Sequence, residues 1–133
     1  MEYVVNFSSG MKEFGGVSEC RLFRLSPESS TFILQEASSG SERLLLCDVE
    51  RLGSGALPVL SPEELAELGI MPEEASEALP EDVVVLCRLR IPQDAPQRAG
   101  FDLGRLVVVN KKNGRAVEAE RPGASIVPLV SHR

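Results

Sequence analysis

The sequence predicts an all-β, mainly antiparallel domain: a compact β-barrel-like or sandwich fold with one or two short helices. Three observations lead there. Short apolar or alternating segments recur along the chain between clusters of Gly, Pro, Ser and Asn; one stretch, Phe101 to Ala119, reads as a hairpin; and one stretch, Leu60 to Ile70, carries complete helix punctuation. At 133 residues, 43% hydrophobic and 26% charged, the chain has the composition of one folded domain, 1–133, rather than of a disordered segment.

Taken in order, Tyr3 to Phe7 is a short strand that Ser8-Ser9-Gly10 breaks, and Gly15-Gly16 is a second break. Glu19 to Leu25 alternates with Arg21 and Arg24 at polar positions. Thr31 to Glu36 follows a Ser- and Pro-containing loop, and Arg43 to Val49 follows the turn Ser38 to Ser41, so these three strands form a meander. From Asp82, the apolar residues Val83, Val85, Cys87, Leu89 and Ile91 recur at period two, with Arg88 and Arg90 on the other face. This predicts the longest strand, stopped by Pro92, which has no N–H for a ladder. Ser125 to Val130 is a last strand, which Pro128 confines to an edge or a terminus.

The helix is fixed by its ends. Ser61 is placed to cap it, Pro62 occupies the first helical position, and Glu64, three residues after the Ser, completes a capping box, with Leu60 and Leu65 at the staple positions. Gly69 ends it in the left-handed conformation, and Ile70 can fold back on Leu65. An acidic linker or second short helix follows Met71-Pro72.

In the hairpin, a two-residue turn at Asn113-Gly114 would set Val109 against Glu118. A four-residue loop, Lys111 to Gly114, instead pairs Val108 with Val117, Leu106 with Ala119 and Arg105 with Glu120, giving one apolar face and one closed by opposite charges. The longer loop is the better register.

Composition also bounds the function. His132 is the only histidine and sits by the C-terminus, which leaves Ser-His, Cys-His and His-based metal chemistry without ligands. Glu63/Glu67 and Glu73/Glu77 have helical spacing but lack the apolar pocket that raises a carboxyl pKa for acid catalysis. Gly53-Ser54-Gly55 lacks the Lys of a phosphate-binding loop. No catalytic, metal or cofactor residue is assigned, and the chain is read as non-enzymatic. Cys20, Cys47 and Cys87 are far apart in strand-like runs and read as buried thiols. A net charge of −6 disfavours nucleic acid and favours a basic protein partner. No run is long enough to span a membrane and no basic leader precedes an apolar segment, so the cytoplasm is the expected address.

Two clusters are candidates for contact. Glu63, Glu64, Glu67 and Glu73 crowd the helix, where they read either as a solvated face partly stabilised by the helix dipole or as an acidic patch for a basic partner. Lys111, Lys112 and Arg115 at the hairpin tip read as a solvated turn or as a protein contact; with no aromatic beside them for stacking they do not make a nucleic-acid site.

The hairpin residues Val107-Val108-Val109-Asn110-Lys111-Lys112-Asn113-Gly114-Arg115 resemble the C-terminal part of the flagellar assembly factor FliW family. Three further motifs fall in the family's order: Phe32-Ile33-Leu34-Gln35, Leu60 to Ile70, and Asp82 to Cys87 leading to Ile91-Pro92. The resemblance covers Val5 to Leu129. It implies a compact β-barrel-like domain, binding of newly made flagellin and, when flagellin is exported, antagonism of the translational regulator CsrA by direct binding. Asn110, Lys111, Lys112 and Asn113 become partner-binding candidates beside the four glutamates. The chain departs from the family at Asp48 to Gly55, where the family's aromatics are missing, and ahead of Tyr3, where the family has an extra strand. From the sequence the strand is either lost, supplied by a partner or compensated by dimerisation, and an open edge there would favour self-association as a weak homodimer. A small-ligand-binding β-barrel without catalytic activity is the alternative function; it would need an internal cavity.

Overall fold

The computed structural model describes residues 2–26, 28–37, 43–52, 59–75, 79–90, 94, 100–121 and 126–128. The predicted Ser38 to Ser41 turn, Gly53-Ser54-Gly55, Glu77, Ile91-Pro92 and His132 lie outside these residues.

Eight strands run in the order β1 (Glu2–Met11), β2 (Val17–Arg24), β3 (Thr31–Glu36), β4 (Arg43–Asp48), β5 (Val83–Arg90), β6 (Gly100–Asn110), β7 (Arg115–Glu120) and β8 (Ile126–Pro128). Among the described residues one α-helix, α1 (Pro62–Leu68), lies between β4 and β5, flanked by short 3-10 turns at Val49–Leu52 and Pro72–Ala75, the second where the sequence offers a linker or a second short helix. Each of the first five strands pairs antiparallel with the next, β5 pairs with β6 and β6 with β7, and a parallel pairing of β7 with β1 closes a barrel. Among the described residues β8 pairs with β6 alone, at Gly100 to Asp102, with Pro128 at its end as its missing N–H requires; Ser125, Leu129 and Val130 of the predicted last strand lie outside them.

The alternation of side chains across each strand makes two cores. Val5 and Phe7 of β1, Cys20 and Leu22, Phe32 and Leu34, Leu44 and Leu46, Leu86, Val107 and Val109, and Ala116 bury one face into the lumen. The opposite face of the β5–β7 wall is buried as well, because Leu65 and Leu68 of α1, with Leu60, Ile70 and Val49, cover Val85, Cys87, Leu106, Val108, Val117 and Ala119. Burying each of the two helix leucines contributes about 1.5–3 kcal/mol. Two buried faces explain the nearly continuous apolar runs of β5 and β6. The period-two face Val83, Val85, Cys87 is the outer, helix-covered one, and the lumen is served by Leu86 with Val84 against it.

The hairpin has the four-residue loop. Val108 stands opposite Val117, Leu106 opposite Ala119 and Arg105 opposite Glu120, the last pair bridged at 3.6 Å. The helix caps also hold: Glu64 N–H donates to Ser61 Oγ at 3.1 Å while Ser61 N–H donates to Glu64 Oε1 at 2.9 Å. At the other end Gly69 N–H reaches Ala66 O and Ile70 N–H reaches Leu65 O, the bonds of a Schellman ending. Gly69 has φ 73°, as a left-handed cap requires.

Three expectations change. Ser8-Ser9-Gly10 does not end β1; the strand continues to Met11 through a register shift, with Asn6 opposite Glu19 and Met11 opposite Val17. A polar triplet can stay in a strand when the irregular backbone carries it to the rim. The longest strand is β6, not β5, because Gly100 to Gly104 extends it below the hairpin through a second register shift opposite Cys87 and Arg88. The open edge that would favour self-association is not left at β1, which pairs with β2 on one side and, at Asn6 and Phe7, with β7 on the other.

Candidate partner-binding surface

Helix α1 and the hairpin loop meet at a carbonyl. The C=O of Leu68, left without an intrahelical partner at the helix end, accepts from Asn110 Nδ2 and from Asn113 Nδ2, each at 3.0 Å. The other atom of each amide closes the loop itself, since Asn110 Oδ1 accepts from Lys112 N–H and Asn113 Oδ1 from Arg115 N–H. Asn110 is buried, with 6% of its surface exposed, so this bonding is what makes its burial tolerable. Both asparagine amides are thus engaged within the fold. Lys111 and Lys112 project from the same loop and are exposed.

The four helix-associated glutamates divide. Glu64 is held by Arg121, with Nη1 to Oε2 at 3.0 Å and Nη2 to Oε1 at 2.7 Å, and Arg121 Nη2 also donates to Val59 O. The guanidinium hydrogen bonds hold the Glu64 carboxyl below the usual carboxylate range, and the same bonds push Arg121 up. Glu67 Oε1 accepts from Ser8 Oγ at 2.9 Å and Ser9 Oγ at 3.0 Å, tying α1 to the rim of β1. Glu63 and Glu73 are exposed. The large exposed apolar residues Val59 and Met71 flank the helix, so its outer surface mixes acidic and apolar groups.

Two clefts adjoin Glu67. One, of about 590 Å³, is lined by Asn6, Ser8, Ala66, Glu67, Asn113 and Arg115. The other, of about 210 Å³, is lined by Phe7, Ser9, Gly10, Lys12, Glu67, Val117 and Glu118. Away from both, a cleft of about 270 Å³ lies among Asp48, Glu50, Glu81 and the start of β5. Among the described residues no group of three His, Cys, Asp or Glu side chains is arranged to hold a metal.

The three cysteines are buried, as expected. Burial pushes Cys20 up to about 11 and Cys87 up to about 12, so neither is a nucleophile at neutral pH. No helix among the described residues is long and apolar enough to cross a membrane.

Ser8, Ser9, Arg121 and the Leu68 carbonyl escaped the sequence reading. Each acts on a partner more than 40 residues away in the chain, and locally Ser8-Ser9 signals no more than the end of a strand.

The fold has a solved counterpart. The crystal structure of the flagellar assembly factor FliW superposes with a TM-score of 0.72 over 94% of this chain and 82% of that one, at 18% sequence identity. The chain therefore has a FliW-like fold. No family model matches the chain. No curated protein matches it in sequence.

Proposed function

We propose that this chain is a non-enzymatic, cytoplasmic flagellar assembly factor that binds flagellin and, when flagellin is withdrawn, binds and antagonises CsrA. The observation that carries this reading is the FliW-like fold over nearly the whole chain, supported by the resemblance of the hairpin residues Val107 to Arg115 to the same family. In the proposed exchange, flagellin bound to the factor keeps it from CsrA. Release of flagellin frees it to withdraw CsrA from messenger RNA.

Two further features support a protein-binding role. The net charge of −6 and the exposed Glu63 and Glu73 beside Val59 and Met71 give a surface suited to a basic partner with apolar contacts. The lumen is occupied by Phe7, Phe32, Leu22, Leu34, Leu46 and Leu86, among the largest fully buried side chains, which favours a filled scaffold over a ligand-binding barrel. Lys111 and Lys112 are the proposed contact residues of the hairpin tip.

Titration calorimetry of the purified chain against purified flagellin and purified CsrA tests the reading. Saturable binding of both, with flagellin displacing CsrA, is expected. Binding of neither would overturn it.

A further inference from the structure

Asn113 and Gly114 form the only Asn-Gly pair in the sequence. An asparagine side chain is open to attack by the backbone nitrogen that follows it, and glycine, with no side chain, hinders that attack least. Asn6 and Asn110 are followed by Phe7 and Lys111, whose side chains crowd the same nitrogen. Asn113 is also exposed, so water and hydroxide reach it.

The fold engages both reacting groups elsewhere. Gly114 N–H, the nucleophile, donates to Asn110 O at 2.9 Å. The Asn113 amide is fixed at both ends: Nδ2 donates to Leu68 O at 3.0 Å, and Oδ1 accepts from Arg115 N–H at 2.9 Å. The helix cap shapes its seat, since a Cβ on Gly69 would lie 2.9 Å from Asn113 Nδ2. Ring closure requires these three hydrogen bonds to give way together, which is a local opening of the hairpin loop from the end of α1.

We infer that Asn113 is a site of spontaneous deamidation, gated by the contact between the hairpin loop and the end of α1. On opening, Gly114 N loses its proton to hydroxide and bonds to Asn113 Cγ; the Cγ–Nδ2 bond breaks, and ammonia leaves with a proton taken from water. Water then opens the cyclic imide at either carbonyl, giving aspartate, or isoaspartate with the chain rerouted through the side-chain carbonyl carbon. Water is the only co-reactant. Either product lacks the Nδ2 donor to Leu68 O, and aspartate sets a carboxylate against that carbonyl. Isoaspartate adds a backbone atom just ahead of Gly114, whose C=O accepts from Asn6 N–H at 2.8 Å beside the closing pair of β1 and β7. A loop that has opened and converted therefore does not return to the same seat.

The test is to age the purified chain in mildly alkaline buffer, native and in guanidinium chloride, and to follow Asn113 by mass spectrometry of the peptide that holds it, with isoaspartate separated by chromatography. In denaturant Asn113 is expected to convert ahead of Asn6 and Asn110. In the native chain it should convert at least about tenfold more slowly. The Asn110→Ala variant loses two bonds that hold the loop, to Leu68 O and from Lys112 N–H, while keeping the Asn110 carbonyl. It should convert faster than wild type in the native state and at the wild-type rate in denaturant. Intact Asn113 in denaturant, equal rates in the two states, a native chain still intact after prolonged ageing, or a folded variant no faster than wild type would overturn the inference. Should the variant not fold, hydrogen exchange of the Gly114 amide in the native wild type takes its place. Protection of that amide should match the slowing of deamidation, and an amide that exchanges freely while Asn113 stays intact would overturn the gate.

Discussion

Arg121 grips both carboxylate oxygens of Glu64, at 3.0 and 2.7 Å, across 57 residues of sequence. The two side chains are only 28% and 15% exposed, so the pair is sheltered in a way that most surface ion pairs are not. It joins the end of β7 to the first turn of α1, and Arg121 adds a bond to Val59 O at the helix approach.

A pH dependence follows. The Glu64 carboxyl is held below the usual carboxylate range, first by the hydrogen bond from Arg121, so the unfolded chain binds a proton there more readily than the folded one. Its contribution to stability is therefore complete above the unfolded carboxylate pKa of about 4.3 and is lost as pH falls through the lower folded value. Arg121→Ala should destabilise the protein by about 1–2 kcal/mol near neutrality and flatten the loss of stability below that pKa. Urea midpoints across the acid range check both; parallel wild-type and variant curves would show that the pair contributes nothing.

The asparagine clamp predicts unequal effects. Asn110 is buried and Asn113 exposed, yet both donate to Leu68 O. Asn110→Asp sets a carboxylate against a carbonyl and should cost about 1–3 kcal/mol, whereas Asn113→Ala leaves the carbonyl with its other donor and should cost less. Because the two share one acceptor, the double variant Asn110→Ala, Asn113→Ala should lose more than the sum of its singles. Thermal unfolding of the four proteins of that cycle measures the coupling.

How much of this was legible from the chain depended on distance along it. The caps of α1 lie within ten residues of one another and follow from Ser61, Pro62, Glu64 and Gly69 alone. The hairpin register followed because only one loop length brings Arg105 to Glu120 and Val108 to Val117. The closure of the barrel was not legible, since two residue pairs between β1 and β7 carry no sequence signature. Nor was the division of the glutamates. Spacing puts Glu63, Glu64 and Glu67 on one short helix, but it is Arg121, Ser8 and Ser9, all remote, that engage two of them. The apolar period of Val83, Val85 and Cys87 was visible, while which side of the wall it faced awaited the helix that covers it.

The thiols give a test of the two cores. Cys20 lies in the lumen, and Cys87 stands opposite Cys47 beneath the helix. With Cys20 raised to about 11 and Cys87 to about 12, neither forms appreciable thiolate at pH 8. Native protein should resist an aromatic disulfide reagent and react at all three cysteines in denaturant. Rapid labelling of Cys20 in the native state would mean that the barrel opens.

The hairpin loop separates geometry from contact. Gly114 has φ 76°, and a Cβ there would lie 3.0 Å from Val4 O, on the backbone of the strand that closes the barrel. Asn6 N–H donates to Gly114 O at 2.8 Å, so a shift to relieve that crowding would strain the closing pair as well. Gly114→Ala should therefore cost more than about 1 kcal/mol, while partner affinity in the folded fraction stays intact. Lys111 and Lys112 are exposed on the same loop, and their replacement should leave the denaturant midpoint within about 0.5 kcal/mol of wild type. If they contact an acidic surface of flagellin or CsrA, the Lys111→Ala, Lys112→Ala variant binds that partner more weakly and with a shallower salt dependence. Calorimetry at low and high salt on the folded variant decides it: wild-type affinity for both proteins would reduce the lysines to solvated residues of a turn whose asparagines and glycine serve only the fold.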